Sequence, residues 1–144
     1  MQKFLRNTLA LVAGIVIGGV VNMALINLGP SLIPPPAGVD VNNAESLIKA
    51  MPLFEPRHFV MPFLAHAIGT LAGALVAYLI AASHKALIAY FIGAAFLCGG
   101  IAASFMIPAP GWFVALDLLL AYLPMAWLGI RIGQRLIPGR VAVP

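Results

Sequence analysis

The sequence predicts an all-α protein that crosses a membrane four times, and three observations carry that prediction. Of its 144 residues, 62% are hydrophobic and only 8% are charged, about a third of the charged share of a soluble domain. The apolar residues gather into four stretches, each near the roughly 20 residues a helix needs to cross a hydrocarbon core. Between the stretches stand Pro, Gly and charged residues, where freed backbone groups meet water rather than lipid. Such a composition excludes a water-soluble globule and a disordered chain. The single Cys excludes an internal disulfide and speaks against a thiolate-bound metal cluster. Residues 1–144 are expected to form one membrane domain, a compact four-helix bundle with a long outer loop.

The first span is expected from about Thr8 to Leu28, ended by Gly29-Pro30. Lys3 and Arg6 ahead of an apolar run resemble a signal peptide. The run is too long, however, and no small-residue cleavage site follows it closely, so it reads as an uncleaved span. The outer loop, 29–58, is the only long connection, and loops of that length usually carry structure or function. Pro34-Pro35-Pro36 favours an extended polyproline stretch. A short amphipathic helix should follow, capped by Asn42 with Glu45 three residues on. Glu45 and Lys49 are spaced for an i,i+4 ion pair, and Leu47, Ile48 and Met51 should line one face.

The remaining spans run from about Phe59 to Ala82, Ala86 to Ile107 and Trp112 to Ile132. Ser83-His84-Lys85 and Pro108-Ala109-Pro110-Gly111 separate them, and Pro138-Gly139 lies past the last. Pro124 should kink the fourth span below Asp117 and free the carbonyl of Leu120. Lys3, Arg6, Lys85, Arg131, Arg135 and Arg140 fall on one side of this topology, and only Lys49 and Arg57 on the other. The positive-inside rule then puts both termini in the cytoplasm. The Ala- and Gly-rich composition suits a bacterial inner membrane. The net charge of +4 reflects these flanking residues and implies no nucleic-acid partner.

Small residues allow membrane helices to approach closely. Gly14 and Gly18 form a GxxxG pair, as do Gly69 and Gly73, and Gly129 and Gly133; Ala95 and Gly99 are the counterpart in the third span. Cys98 should be a small packing residue. Phe54, Phe59, Phe63, Trp112 and Phe113 read as an interfacial aromatic belt. Trp127 and Arg131 read as an anchor at the opposite face, with the Arg131-Arg135 end meeting lipid headgroups.

Ionisable groups inside a span are costly and tend to mark function. The candidates are Asn22, His66 and Asp117, with Thr70, Tyr78, Cys98, Ser104 and Tyr122 as weaker members. At 1.5 Å per residue, Asn22, His66 and Asp117 lie about 9, 10 and 8 Å below the outer ends of their helices. They therefore share one layer, with Ser104 near it and Glu55, Arg57 and His58 just above. A buried His66–Asp117 interaction supported by Asn22 is expected. It could be a structural hydrogen bond, a proton-coupled pair or part of a ligand site opening outward. His58, His66, Met51, Met61 and Met106 could offer soft ligands to Cu(I). They show no HxxxH or MxxM spacing, so no metal site is assigned.

No Gly-x-Ser-x-Gly, HExxH or phosphate loop occurs. An enzyme would have to use His66 and Asp117, with Glu55 or His58 in support. A transporter or channel would need a polar path through the inner half, which offers little beyond Tyr78 and Ser83. No inverted repeat stands out. The leading expectation is a small non-enzymatic membrane protein. It would be an accessory subunit of a larger complex or a homo-oligomer, or it would bind a lipid or another hydrophobic ligand through the outer polar cluster.

Overall fold

The computed structural model describes residues 1–137. Pro138, Gly139 and Arg140 lie outside the described residues. Among those described, the chain is all-helical: α1 (Gln2–Leu32), α2 (Ala44–Ala50), α3 (Val60–Ile80), α4 (Lys85–Met106), α5 (Gly111–Leu120) and α6 (Leu123–Leu136). Single 3-10 turns at Met51–Leu53 and Pro56–Phe59 link α2 to α3. Four helical segments are long and apolar enough to cross a membrane: Gln2–Leu32, Pro56–Ile80, Lys85–Met106 and Gly111–Leu136. They pack as a bundle.

α1 is longer than its sequence suggests. Pro30 does not end it but sits inside its last turn, and the Ile33 N–H closes the helix on the Gly29 carbonyl. A proline costs one intrahelical bond, and near a helix end the loss is small. The short helix in the loop begins one residue later than expected. Asn43, not Asn42, is its cap and accepts from the Ser46 N–H, while the Asn42 N–H is held by the Asp40 carboxylate. The Glu45–Lys49 pair forms at 2.7 Å on an exposed surface. Leu47 and Met51 turn inward, but Ile48 is exposed.

The bundle is built around α3, which packs against α1, α4 and α6. Small residues occupy its interfaces while large apolar residues face outward. Ala10, Gly14 and Gly18 are the buried stripe of α1, and Leu9, Val12, Val16 and Val20 are exposed. Lipid is as apolar as leucine, so contact area rather than hydrophobicity selects what faces inward. A side chain at Gly14 would lie 2.8 Å from the Gly73 carbonyl oxygen, and one at Gly18 2.8 Å from that of Gly69. The two GxxxG motifs therefore meet each other. Gly129 packs on the backbone of Leu71 and Leu75, and Gly133 lies beneath the Tyr78 ring.

The third span departs from expectation. Gly99 faces open space and Cys98 is exposed. The close contacts of α4 are instead Gly93 against Ala126 and Gly100 beneath Tyr122. The Ala95/Gly99 pair therefore makes no close approach at Gly99, which lies on an open face. At the end of the bundle where α1 begins, Asn7 organises the α3–α4 turn. Its amide oxygen accepts from the Ala82 and Ser83 N–H groups, and its nitrogen donates to Ser83 Oγ. Arg6 donates to the Ile80 carbonyl and Lys85 to that of Tyr78. These bonds satisfy helix-end groups that would otherwise lack partners.

Candidate functional site: a roofed cavity beside His66 and Asp117

α5 and α6 are one span broken in the middle, and the break makes the site. The Ala121 N–H closes α5 on the Asp117 carbonyl. Tyr122 then leaves helical geometry with φ −118° and ψ −81°, and Pro124 lies in the first turn of α6. Proline at that position lacks the N–H that an unbroken helix would need to bond Leu120. Five residues along a regular α-helix turn a side chain about 140° around the axis. Asp117 and Tyr122 could not meet in such a helix. Across the break they do, and Tyr122 Oη donates to Asp117 Oδ2 at 2.9 Å.

His66 comes to the same carboxylate from α3. Its Nδ1 lies 2.9 Å from Asp117 Oδ1 and 3.0 Å from Oδ2. Its ring stacks on Tyr122 at 5.8 Å between centroids and 27° between planes. Asp117 is 5% exposed and Tyr122 3%, so the carboxylate is held by two side chains in a nearly dry setting. Gly100 makes room for the phenol, because a side chain there would collide with it. Thr70, fully buried, spends its hydroxyl on the His66 carbonyl. The expected His66–Asp117 interaction is present, and Tyr122, a weaker candidate from sequence, is its third member.

Asn22 is not part of it. Its Oδ1 is buried without a hydrogen-bond partner, and the residue packs on Gly69 of α3. The Gly18–Gly69 approach brings α1 so near α3 that Asn22 rests on that helix, one turn from His66. Ser104 bonds the Ile101 carbonyl of its own helix. Glu55 pairs with Arg57 at 3.1 Å on the surface. Glu55 and His58 cap each other across the Pro56–Phe59 turn, each side chain taking the other's backbone N–H. The bond from the Glu55 N–H to His58 Nδ1 is 2.9 Å.

A cavity of about 520 Å³ opens beside this cluster. His66, Asp117, Ser104 and His58 line it together with apolar groups such as Ile26, Ile107 and Val114. α1, α3, α4 and α5 all contribute, and the loop roofs it through Leu47, Met51 and Phe54. The roof is seated by Phe59 and Phe113, whose rings are 4.8 Å apart and which are 6% and 8% exposed. Of the expected aromatic belt, Phe59 and Phe113 are buried, Phe54 and Phe63 are partly buried against them, and Trp112 is half exposed. A second pocket lies outside the roof, between Pro34–Pro36 and Glu55–His58, and His58 is common to both.

Away from the loop the bundle closes. Ile92, Ala74, Ala77, Ala89 and Ala126 are fully buried there. Trp127 carries the Arg131 guanidinium over its ring at 5.2 Å. Met61 lines the cavity, but Met106 is 73% exposed. Among the described residues no three His, Cys, Asp or Glu side chains gather closely enough to hold a metal ion.

His66 uses Nδ1 on Asp117, and its Nε2 has no hydrogen-bond partner among the described residues. The His66 side chain is 23% exposed and lines the cavity. The chain matches no family model, no curated protein and no solved structure.

Proposed function

We propose that this four-span membrane protein is a non-enzymatic binder of a hydrophobic ligand or lipid, which it holds in the cavity under the outer loop. The observation that carries the reading is the cavity itself, mostly apolar, roofed, and supplied with one oriented histidine. Ligand sites of this kind are apolar hollows with a few fixed polar groups. Asp117 and Tyr122 hold the His66 ring in place, which lowers the ordering cost of binding. On this reading the protein sits in a bacterial inner membrane with both termini in the cytoplasm. The loop and cavity then face outward, toward membrane lipids in the outer leaflet. It acts alone, as a homo-oligomer, or as an accessory subunit of a larger complex.

A proton-coupled transporter is the second reading, favoured by the break at Ala121–Tyr122 next to an ionisable pair. Discontinuous spans at mid-membrane are a device of transporters. The fully buried Ile92 and its alanine neighbours weigh against it, because they interrupt any polar path through one subunit.

Native mass spectrometry of the protein released from its own membrane in mild detergent tests the proposal. A bound small mass that is reduced in His66→Ala is the expected result. A ligand-free protein, or a mass retained in full by the variant, refutes the reading.

A further inference from the structure

We propose that the ligand class of the cavity is a neutral lipid bearing a free hydroxyl, with that hydroxyl on His66 Nε2. The inference rests on the ligand-binding reading above and narrows it.

Charge is the first argument. Among the described residues, Asp117 is the only acidic one of the lining, and no Lys or Arg lines the cavity. A phosphate or carboxylate headgroup would enter beside that carboxylate with no Lys or Arg to balance it. Burying an unbalanced charge in lipid costs several kcal/mol by general experience. The nearest guanidinium, Arg57, is on the outer pocket and is paired with Glu55. Neutral ligands are therefore selected.

Hydrogen bonding is the second. A wholly apolar ligand would strip water from His66 Nε2 and offer nothing in return. A hydroxyl both donates and accepts, so it satisfies that nitrogen whether or not it carries a proton. Esters and ketones only accept. At the roof end His58, 8% exposed, lines the same cavity, and its Nδ1 is engaged by the Glu55 backbone.

The test uses the full chain in nanodiscs with three probes of equal chain length: hexadecan-1-ol, hexadecane and hexadecanoate. Retention of each is read by native mass spectrometry at matched concentrations. The expected result is retention of the alcohol about three- to tenfold above the alkane, the range of one net hydrogen bond, and hexadecanoate the weakest of the three at neutral pH. His66→Phe should bring the alcohol down to the alkane and leave the alkane bound. Equal retention of alcohol and alkane by the native chain, or preference for hexadecanoate, overturns the hydroxyl assignment while leaving a binding cavity. Loss of all three probes overturns the cavity as a binding site and both readings with it. Because His66→Phe removes a packing partner of Tyr122, a second measurement needs no variant. Nitrogen-15 histidine spectra should show the His66 Nε2 signal moving on addition of hexadecan-1-ol and not of hexadecane; a signal unmoved by saturating alcohol refutes the contact. A diacylglycerol and a quinol, which present the same group on different bodies, then identify the source by which displaces hexadecan-1-ol.

Discussion

Asp117→Ala is the most informative single change, because two helices and the break in the fourth span converge on that carboxylate. The substitution removes the acceptor for His66 Nδ1 at 2.9 Å and for Tyr122 Oη at 2.9 Å. Tyr122 is 3% exposed, so its hydroxyl is stranded without water. A buried donor left unpaired costs about 1–3 kcal/mol. The His66 side chain is 23% exposed and can turn to cavity water, so its loss is nearer the roughly 0.6–2 kcal/mol of interhelical polar contacts in membranes. Together they predict a destabilisation of about 2–4 kcal/mol. For a chain of this length that lowers Tm by about 6–15 °C. Tyr122→Phe removes one of the two bonds and leaves no buried donor, so it should cost about 1–2 kcal/mol. The double variant should fall well short of the sum, because Tyr122→Phe removes the group that Asp117→Ala strands. Thermal unfolding in one detergent, followed by circular dichroism, measures all three proteins. An unchanged Tm for Asp117→Ala, or strict additivity in the cycle, would refute the shared-carboxylate geometry.

Gly14→Val should destabilise the α1–α3 contact by about 2–3 kcal/mol, since the new Cβ meets the Gly73 carbonyl at 2.8 Å and Ala77 at 2.9 Å. Gly99→Ala faces open space and should instead stabilise by about 0.5–1 kcal/mol through helix propensity; unfolding in graded SDS compares the two. Asn7→Ala frees the Ala82 and Ser83 amides, and their hydrogen exchange should quicken about fivefold, the equivalent of about 1 kcal/mol. Cys98→Leu should leave Tm within about 0.5 kcal/mol of the parent, because Cys98 is exposed; a large loss would place it inside an interface.

The residues determine the span count by themselves. A helix satisfies its own backbone, so length and hydropathy alone decide whether a segment can cross lipid. The GxxxG pairs of the first, second and fourth spans were legible for the same reason, since only small residues permit backbone approach. So was the His66–Asp117 pair, because two costly groups at one depth have few other partners. What periodicity could not decide is which face of each helix turns inward. In lipid both faces are apolar, so Gly99 and Gly100 look equivalent, yet only Gly100 packs. Asn22 lies at the right depth and on the right stripe but rests on Gly69, because the α1–α3 approach sets its distance from α5. Tyr122 reaches Asp117 only through the rotation at Ala121–Tyr122. Pro124 announced a disturbance there but carried no information on its angle. The cavity is a property of four helices and a loop meeting at one end, and no local pattern encodes it. Helix existence is a local free energy, whereas the site depends on rotations and offsets between helices, which only tertiary packing sets.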